Sequence, residues 1–191
     1  MKQNLQTYQE LLHKWQKRIN LVSNNTIKDS WERHFEDSLQ IIDLIPEMTK
    51  NLVDLGSGAG FPGLVIAIEK PEISVTLVES DQKKCSFLKT VSRETNTDVN
   101  VINDRIEKIT LDFTPDIISA RALASLDKLF EYCEKWVLDN PEIQFIFPKG
   151  QSWEEELEQC KKHWKFEYEC HRSQTDENAV ILVFRNISKI A

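Results

Sequence analysis

"NLVDLGSGAGFPGLVIAIEK", residues 51–70, decides the fold. An apolar run ends in Asp54 and breaks into Gly56, Gly58, Gly60 and Gly63, so that four of the chain's five glycines fall within one short loop. "NLVDL" reads as a buried strand, and "FPGLVIAIEK" as a helix with Pro62 near its first turn, where the missing N–H costs nothing. A glycine loop between strand and helix suits a polar or anionic ligand. Bare backbone permits close approach, and the helix N-terminus offers unpaired N–H groups.

Working outward, strands and helices alternate. "ISVTLVES" is a strand, and "DQKKCSFLKTVSRETN" a helix opened by Asp81 as N-cap. "DVNVIN" is a strand followed by a short helical turn at "DRIEKI". "PDIISARA" is a strand, "SLDKLFEYCEKWVL" a helix capped by Ser125, "IQFIFPKG" a strand and "SWEEELEQCKKH" a helix. This alternation predicts a parallel sheet with helices on both faces. "WKFEYECHR" and "NAVILVFRN" then follow one another with only "SQTDE" between them, too short for a crossover, and predict a terminal antiparallel hairpin. Upstream, Leu5, Tyr8, Leu11, Leu12, Trp15, Ile19 and Val22 repeat at helical spacing. "NNT" at 24–26 breaks the pattern, and Ile27, Trp31, Phe35, Leu39 and Ile42 form a second helical stripe before Pro46. The expected division is an N-terminal helical extension, 1–48, and an α/β domain, 49–191. Trp15 and Trp31 fall on core stripes and are expected to pack.

The chain has 191 residues, 40% of them hydrophobic, enough for one sizeable core. No apolar run has transmembrane length and Met1 begins no signal-peptide pattern, so a soluble cytoplasmic protein is expected, with no membrane partner. The four cysteines show no CxxC spacing and read as reduced thiols, and the gaps among Cys160, His163, Cys170 and His171 fit no common zinc pattern, so no metal is expected. The net charge of −7 argues mildly against a nucleic-acid partner. Residues 1–34, however, hold Lys2, Lys14, Lys17, Arg18, Lys28 and Arg33 against Glu10, Asp29 and Glu32, so a basic surface can coexist with an acidic total.

"GAGFPG" satisfies G-x-G-x-x-G, but its register is late, and Gly56-x-Gly58-x-Gly60 is the tighter reading; no Gly-Lys-Ser/Thr is present. Asp54, a carboxylate at the strand end, suits a ligand with an ammonium group better than a diphosphate. The terminal hairpin is not needed by a NAD-binding sheet. Both favour S-adenosylmethionine over NAD. Glu79, at the end of the second strand, is placed to accept hydrogen bonds from ribose hydroxyls in either case. The same residues admit structural roles: the glycines as a tight turn, Glu79 as a helix-cap acid, Asp54 as a core acid bonded to loop amides.

Six segments together resemble one family. They are "LHKWQKRINLVS" with "RHFEDSL", "LVDLGSGAGFPG", "DRIEKI", "ISARALASL" and "FPKG", in this order over nearly the whole chain. They are similar to the class I S-adenosylmethionine methyltransferases and, within these, to the bacterial small-subunit (16S) ribosomal RNA guanine-N7 methyltransferase family, also called glucose-inhibited division protein B. Phe147-Pro148 departs from the simpler apolar approach expected before Lys149-Gly150. The resemblance implies a Rossmann-like, mostly parallel seven-stranded sheet with a C-terminal antiparallel hairpin. It implies methylation of guanine N7 in small-subunit ribosomal RNA, free or in a ribosomal particle. It also implies cofactor contacts from Gly56, Phe61, Ile106, Glu107 and Arg121, to which the residue-level reading adds Gly58, Gly60 and Glu79.

Guanine N7 carries no proton, so no catalytic base is expected; His34, Asp37 and Ser38 lie too close in sequence for a hydrolytic triad. His34 with Arg33 beside it is a candidate RNA contact or a half-buried histidine bonded within its helix. Lys149 is a candidate phosphate contact or an exposed loop lysine. Arg121 is expected to pair with the cofactor carboxylate or an RNA phosphate. A monomer is expected. Two other readings stand beside this one: a NAD-dependent oxidoreductase, disfavoured by Asp54 and the hairpin, and a non-catalytic cofactor- or RNA-binding module.

Overall fold

A computed structural model of the chain describes residues 2–190. Seven strands form one sheet: β1 Asn51–Leu55, β2 Ser74–Val78, β3 Asn100–Ile102, β4 Ile117–Ala120, β5 Gln144–Lys149, β6 Trp164–Arg172 and β7 Val180–Lys189. Their spatial order is β3-β2-β1-β4-β5-β7-β6. The first five strands run parallel, and β7 inserts antiparallel between β5 and β6. This is the Rossmann-like, mostly parallel sheet with a terminal antiparallel hairpin that the alternation and the short "SQTDE" link predict. Pro148 lies beyond the last β4–β5 pair, Ser119 with Ile146, so on that side its missing N–H leaves no gap in the ladder.

The central strands are buried on both faces. Leu52 faces one apolar cluster and Val53 the other. The first cluster is closed by α1 (Lys2–Gln16), α3 (Gly63–Glu69) and α4 (Gln82–Thr95), the second by α5 (Leu126–Asp139) and α6 (Trp153–Cys160). Asp81 caps α4 as expected, accepting from the Lys83 and Lys84 amides. Ser125 does not cap α5 through its side chain. Glu156 instead accepts from the Leu126 amide at 2.9 Å. "DRIEKI" forms a hydrogen-bonded turn, with Lys108 N donating to Arg105 O, rather than a helix.

The N-terminal segment departs most from the sequence expectation. Helix α1 stops at Gln16, short of Val22, because the Gln16 side chain takes over the role of the next carbonyls. Its Oε1 accepts from the Leu21 and Val22 amides and its Nε2 donates to the Val22 carbonyl, which folds 17–24 back over the helix end. The second stripe is not one α-helix. It winds as a π-helical turn over Trp31–Glu36, then as α2 (Asp37–Leu39) and a 3-10 turn at Ile42–Leu44. Ser38 accompanies this winding by donating back to the His34 carbonyl at 2.6 Å.

Trp15 packs edge-on against Phe87 of α4, and Trp31 stacks on Phe35 at 5.2 Å, both in the packing roles expected. Tyr8 is fully buried, and its hydroxyl donates to the Ala59 carbonyl inside the glycine loop. The four cysteines are free thiols, three buried and Cys170 exposed. No described helix is long and apolar enough to cross a membrane.

Candidate functional site

Sheet order reverses between β1 and β4, and the crevice beyond their carboxyl ends is where an open α/β sheet binds ligands. Two cavities lie there, of about 800 and 280 Å³. They share Gly56, Gly58, Lys84, Ala122 and Leu123, and so form one continuous groove under the glycine loop.

The loop's glycines divide the work. Gly56, Gly58 and Gly60 all have positive φ. A Cβ on Gly58 would meet nothing nearer than 3.7 Å, so that glycine faces open groove. Gly60 lines neither cavity; a Cβ there would lie 2.6 Å from the Tyr8 hydroxyl. The expectation that Gly60 touches the ligand is thus replaced by a packing role, in which its bare Cα lets the N-terminal helix reach the loop.

Glu79, only 7% exposed, lines the smaller cavity. Its Oε2 accepts from the Gly58 amide at 2.9 Å and its Oε1 from the Asp81 amide at 2.8 Å. One carboxylate therefore fixes both the loop and the start of α4 beside the groove. Ile106 and exposed Glu107 line the same cavity.

Asp54 does not face a ligand. It is wholly buried beneath the loop; its Oδ1 accepts from Ser119 Oγ at 2.7 Å, and its Oδ2 has no hydrogen-bond partner. Burial pushes its pKa up to about 6, a rise opposed first by the Ser119 hydroxyl. The expectation that Asp54 meets an ammonium group is overturned, and with it that argument against NAD. Asp54 packs instead against Gly63, where a Cβ would lie 2.7 Å from Asp54 Cβ.

On the larger cavity, Arg121 leaves the end of β4 and turns toward the N-terminal segment. Its NH1 donates to Asp37 Oδ2 at 2.9 Å, its NH2 to His34 Nδ1 at 3.2 Å, and its guanidinium lies 5.0 Å over the Phe61 ring. Phe61 is sandwiched between Tyr8 and His34, each centroid 5.2 Å away. His34 Nε2 meets Thr26 Oγ1 at 2.9 Å, and Thr26 in turn donates to the Ser23 carbonyl. With Nδ1 accepting from Arg121, this assigns the proton to Nε2, which donates to Thr26. Burial foremost, then the Arg121 charge, lowers the His34 pKa to about 4, so the ring is neutral at pH 7.

The β6–β7 loop closes the far side. Thr175 donates to Asp37 Oδ1, Arg33 pairs with Asp176 at 3.0 Å, and Gln40 bridges to Ser173 and Gln174. Arg33 remains half exposed at the rim. Lys149 is neither exposed nor free: 9% exposed, it donates to the Ala124 carbonyl at 2.9 Å and pairs with Glu156 at 2.6 Å. Sequence reasoning missed Tyr8, Asp37, Thr175 and Glu156, whose partners are distant in the chain and marked by no local motif.

The family described as GidB, rRNA small subunit methyltransferase G, matches residues 1–180. The chain is 44% identical over 187 residues to the ribosomal RNA small subunit methyltransferase G of Parvibaculum lavamentivorans, covering 96% of this chain and 82% of that protein. It is 39% identical over 188 residues to the protein of the same name from Rickettsia prowazekii, covering 98% and 95%. Among solved structures, a putative O-methyltransferase from Klebsiella pneumoniae superposes with TM-score 0.62 at 13% identity, over 96% of this chain and 90% of that one, a likeness of fold.

Proposed function

The chain belongs to the GidB family of small-subunit ribosomal RNA methyltransferases, and from that premise we propose that it transfers a methyl group from S-adenosylmethionine to guanine N7 at one position of small-subunit (16S) ribosomal RNA. The observation that carries the reading is the continuous groove at the switch point, with a polar lobe beside Glu79 and a wider one beside Phe61, His34 and Arg121.

The residues present fit the cofactor. Gly58 leaves a cradle that a Cβ would fill, and the smaller lobe offers the carboxylates of Glu79 and Glu107, acceptors suited to ribose hydroxyls and amines rather than to phosphates. Gly56, Gly58, Glu79, Ile106 and Glu107 would hold it, with Phe61 and Arg121 on the wider lobe and Gly60 supporting the loop from behind. When bound, S-adenosylmethionine supplies an electrophilic methyl group on a sulfonium.

The chain's own residues then need only align the target atom, which supplies up to about 7–11 kcal/mol of barrier lowering. No base is required, and none is poised. Both nitrogens of His34 are occupied, one accepting from Arg121 and the other donating to Thr26, and its pKa of about 4 leaves the ring neutral. His34 and Arg121 act as a wall that orders the larger lobe. Residues 1–48 supply the RNA-facing extension, with Arg33 at the rim and Lys14, Lys17 and Arg18 exposed on and just beyond α1. The protein is taken to act as a cytoplasmic monomer on ribosomal RNA or its particle.

The test is to map N7-methylguanine in 16S ribosomal RNA from cells with and without this protein. One position should lose its methyl group and regain it on adding purified protein and S-adenosylmethionine. An unchanged map would overturn the reading. An oxidoreductase would instead show NAD binding by calorimetry, with none for S-adenosylmethionine.

A further inference from the structure

The turn between β4 and α5, Arg121–Ser125, roofs both lobes of the groove through Ala122 and Leu123. It has no regular structure, and Ala122 sits at φ 51, a left-handed conformation that costs a non-glycine residue about 1–2 kcal/mol. Leu123 lies so close over Gly56 that a Cβ on that glycine would meet Leu123 Cδ1 at 2.5 Å. Something outside the turn must therefore hold its shape.

What holds it comes from the end of β5 and from α6. Lys149 Nζ donates to the Ala124 carbonyl at 2.9 Å, Glu156 Oε2 accepts from the Leu126 amide at 2.9 Å, and the two side chains pair at 2.6 Å. The pair thus grips the backbone just before and just after Ser125, whose own side chain makes no cap. Desolvation offsets most of the attraction in a pair so little exposed, 9% and 23%, which makes it a poor source of stability. What such a pair supplies is direction: a cation fixed on one carbonyl and an anion on one amide allow the turn a single course. The anion also sits at the N-terminus of α5, where the helix dipole favours it.

We propose that Lys149 and Glu156 are positioning residues, a clasp that sets the Arg121–Ser125 turn in the shape that both ligand and target base require, rather than RNA contacts. The clasp rests on the methyltransferase reading for its effect on rate, but not for its effect on the turn.

The experiment compares the full chain with Lys149→Met, Glu156→Gln and a control, Leu157→Ala, which empties a buried site beside Glu156 on α6 while leaving both clasp side chains in place. Hydrogen exchange of the amides from 122 to 126, S-adenosylmethionine binding by calorimetry, and single-turnover methyl transfer into ribosomal RNA from cells lacking the protein are read together. Lys149→Met should speed exchange in the turn alone and slow transfer at saturating RNA by about 10–10²-fold, the penalty of slight misalignment. Glu156→Gln should do less, since the amide oxygen still accepts from Leu126. Leu157→Ala should lower the melting temperature while leaving exchange in the turn and the transfer rate near the parent's. Unchanged turn exchange in Lys149→Met, or an equal loss of rate in Leu157→Ala, overturns the clasp. A parent protein that neither binds the cofactor nor methylates overturns the proposed function instead, and the exchange measurement still judges the clasp.

Discussion

Gly58 and Gly60 both have positive φ and differ in what surrounds them, so the same substitution should fail in two different ways. Gly60→Ala forces a Cβ against the Tyr8 hydroxyl and Leu64, at 2.6 and 2.9 Å, on top of an unfavourable φ of +94°. It should lower stability by about 1–3 kcal/mol, seen as a fall in melting temperature. Gly58→Ala meets open groove and should cost less stability but more cofactor affinity, measured by calorimetry. Equal stability losses for the two would contradict the packing described. At Glu79, removal of the carboxylate takes away the acceptor proposed for the ribose and unties the Gly58 and Asp81 amides together. Glu79→Ala should weaken S-adenosylmethionine binding by at least about 1.5–3 kcal/mol, the scale of hydrogen bonds to a charged group. Asp54→Asn, lying outside the groove, should leave that affinity unchanged.

At the scale of elements, the π-helical turn and the helix before it connect the N-terminal segment to everything downstream. The π turn sends His34 to Arg121 and Arg33 to the β6–β7 loop, and just after it Asp37 and Gln40 reach the same two places. His34 is tied down on both ring nitrogens, so methyl transfer should be nearly flat with pH between about 6.5 and 8.5 in single turnovers at saturating RNA. A limb in that range that disappears in His34→Gln would show a base at work and point away from guanine N7. Helix α1 and the residues after it present Lys14, Lys17 and Arg18 to solvent, and among the described residues none of the three has an ion-pair partner. Replacing all three by Gln should weaken RNA binding and flatten the dependence of log affinity on log salt, by close to one unit for each phosphate no longer neutralised. Cofactor affinity should not move, and an unaltered salt slope would remove α1 from the RNA interface.

For the whole molecule, one buried and one partly buried group set opposing acid responses. His34 has a pKa lowered to about 4, so between its unfolded value near 6.5 and 4 the unfolded chain takes up a proton that the folded chain refuses; its contribution to stability is lost as pH falls through that window. Asp54 has a pKa raised to about 6, so the folded chain takes up a proton the unfolded chain does not; its contribution is full below about 4 and lost as pH rises through 6. The two trends oppose each other between pH 4 and 6. Melting temperature against pH should therefore fall more steeply on acidification in Asp54→Asn than in the parent, and less steeply in His34→Gln. Parallel curves for the three proteins would mean that neither group is as buried as the structure has it.

Much of this was legible along the chain. The strand–helix alternation, the hairpin forced by a five-residue link, the Asp81 cap and the glycine loop are local events, set by periodicity, turn chemistry and chain length. The six ordered segments carried the family. The helices of residues 5–42 were only half legible, because a side chain, Gln16, ends the first by imitating backbone, and the second winds with an extra residue per turn that no apolar spacing reports. Which way each polar side chain points was decided by the tertiary structure alone. Asp54 turns to Ser119 across the β1–β4 pair, Glu79 back to Gly58, Arg121 to His34 and Asp37, and Lys149 to Glu156 and Ala124. Each of these partners lies at least seven residues away in sequence, and most lie far more. A buried polar atom must find its hydrogen bond wherever packing places one, and the sheet order that brings β1, β4 and β5 side by side is settled by the collective burial of apolar faces, not by any residue's neighbours in the chain.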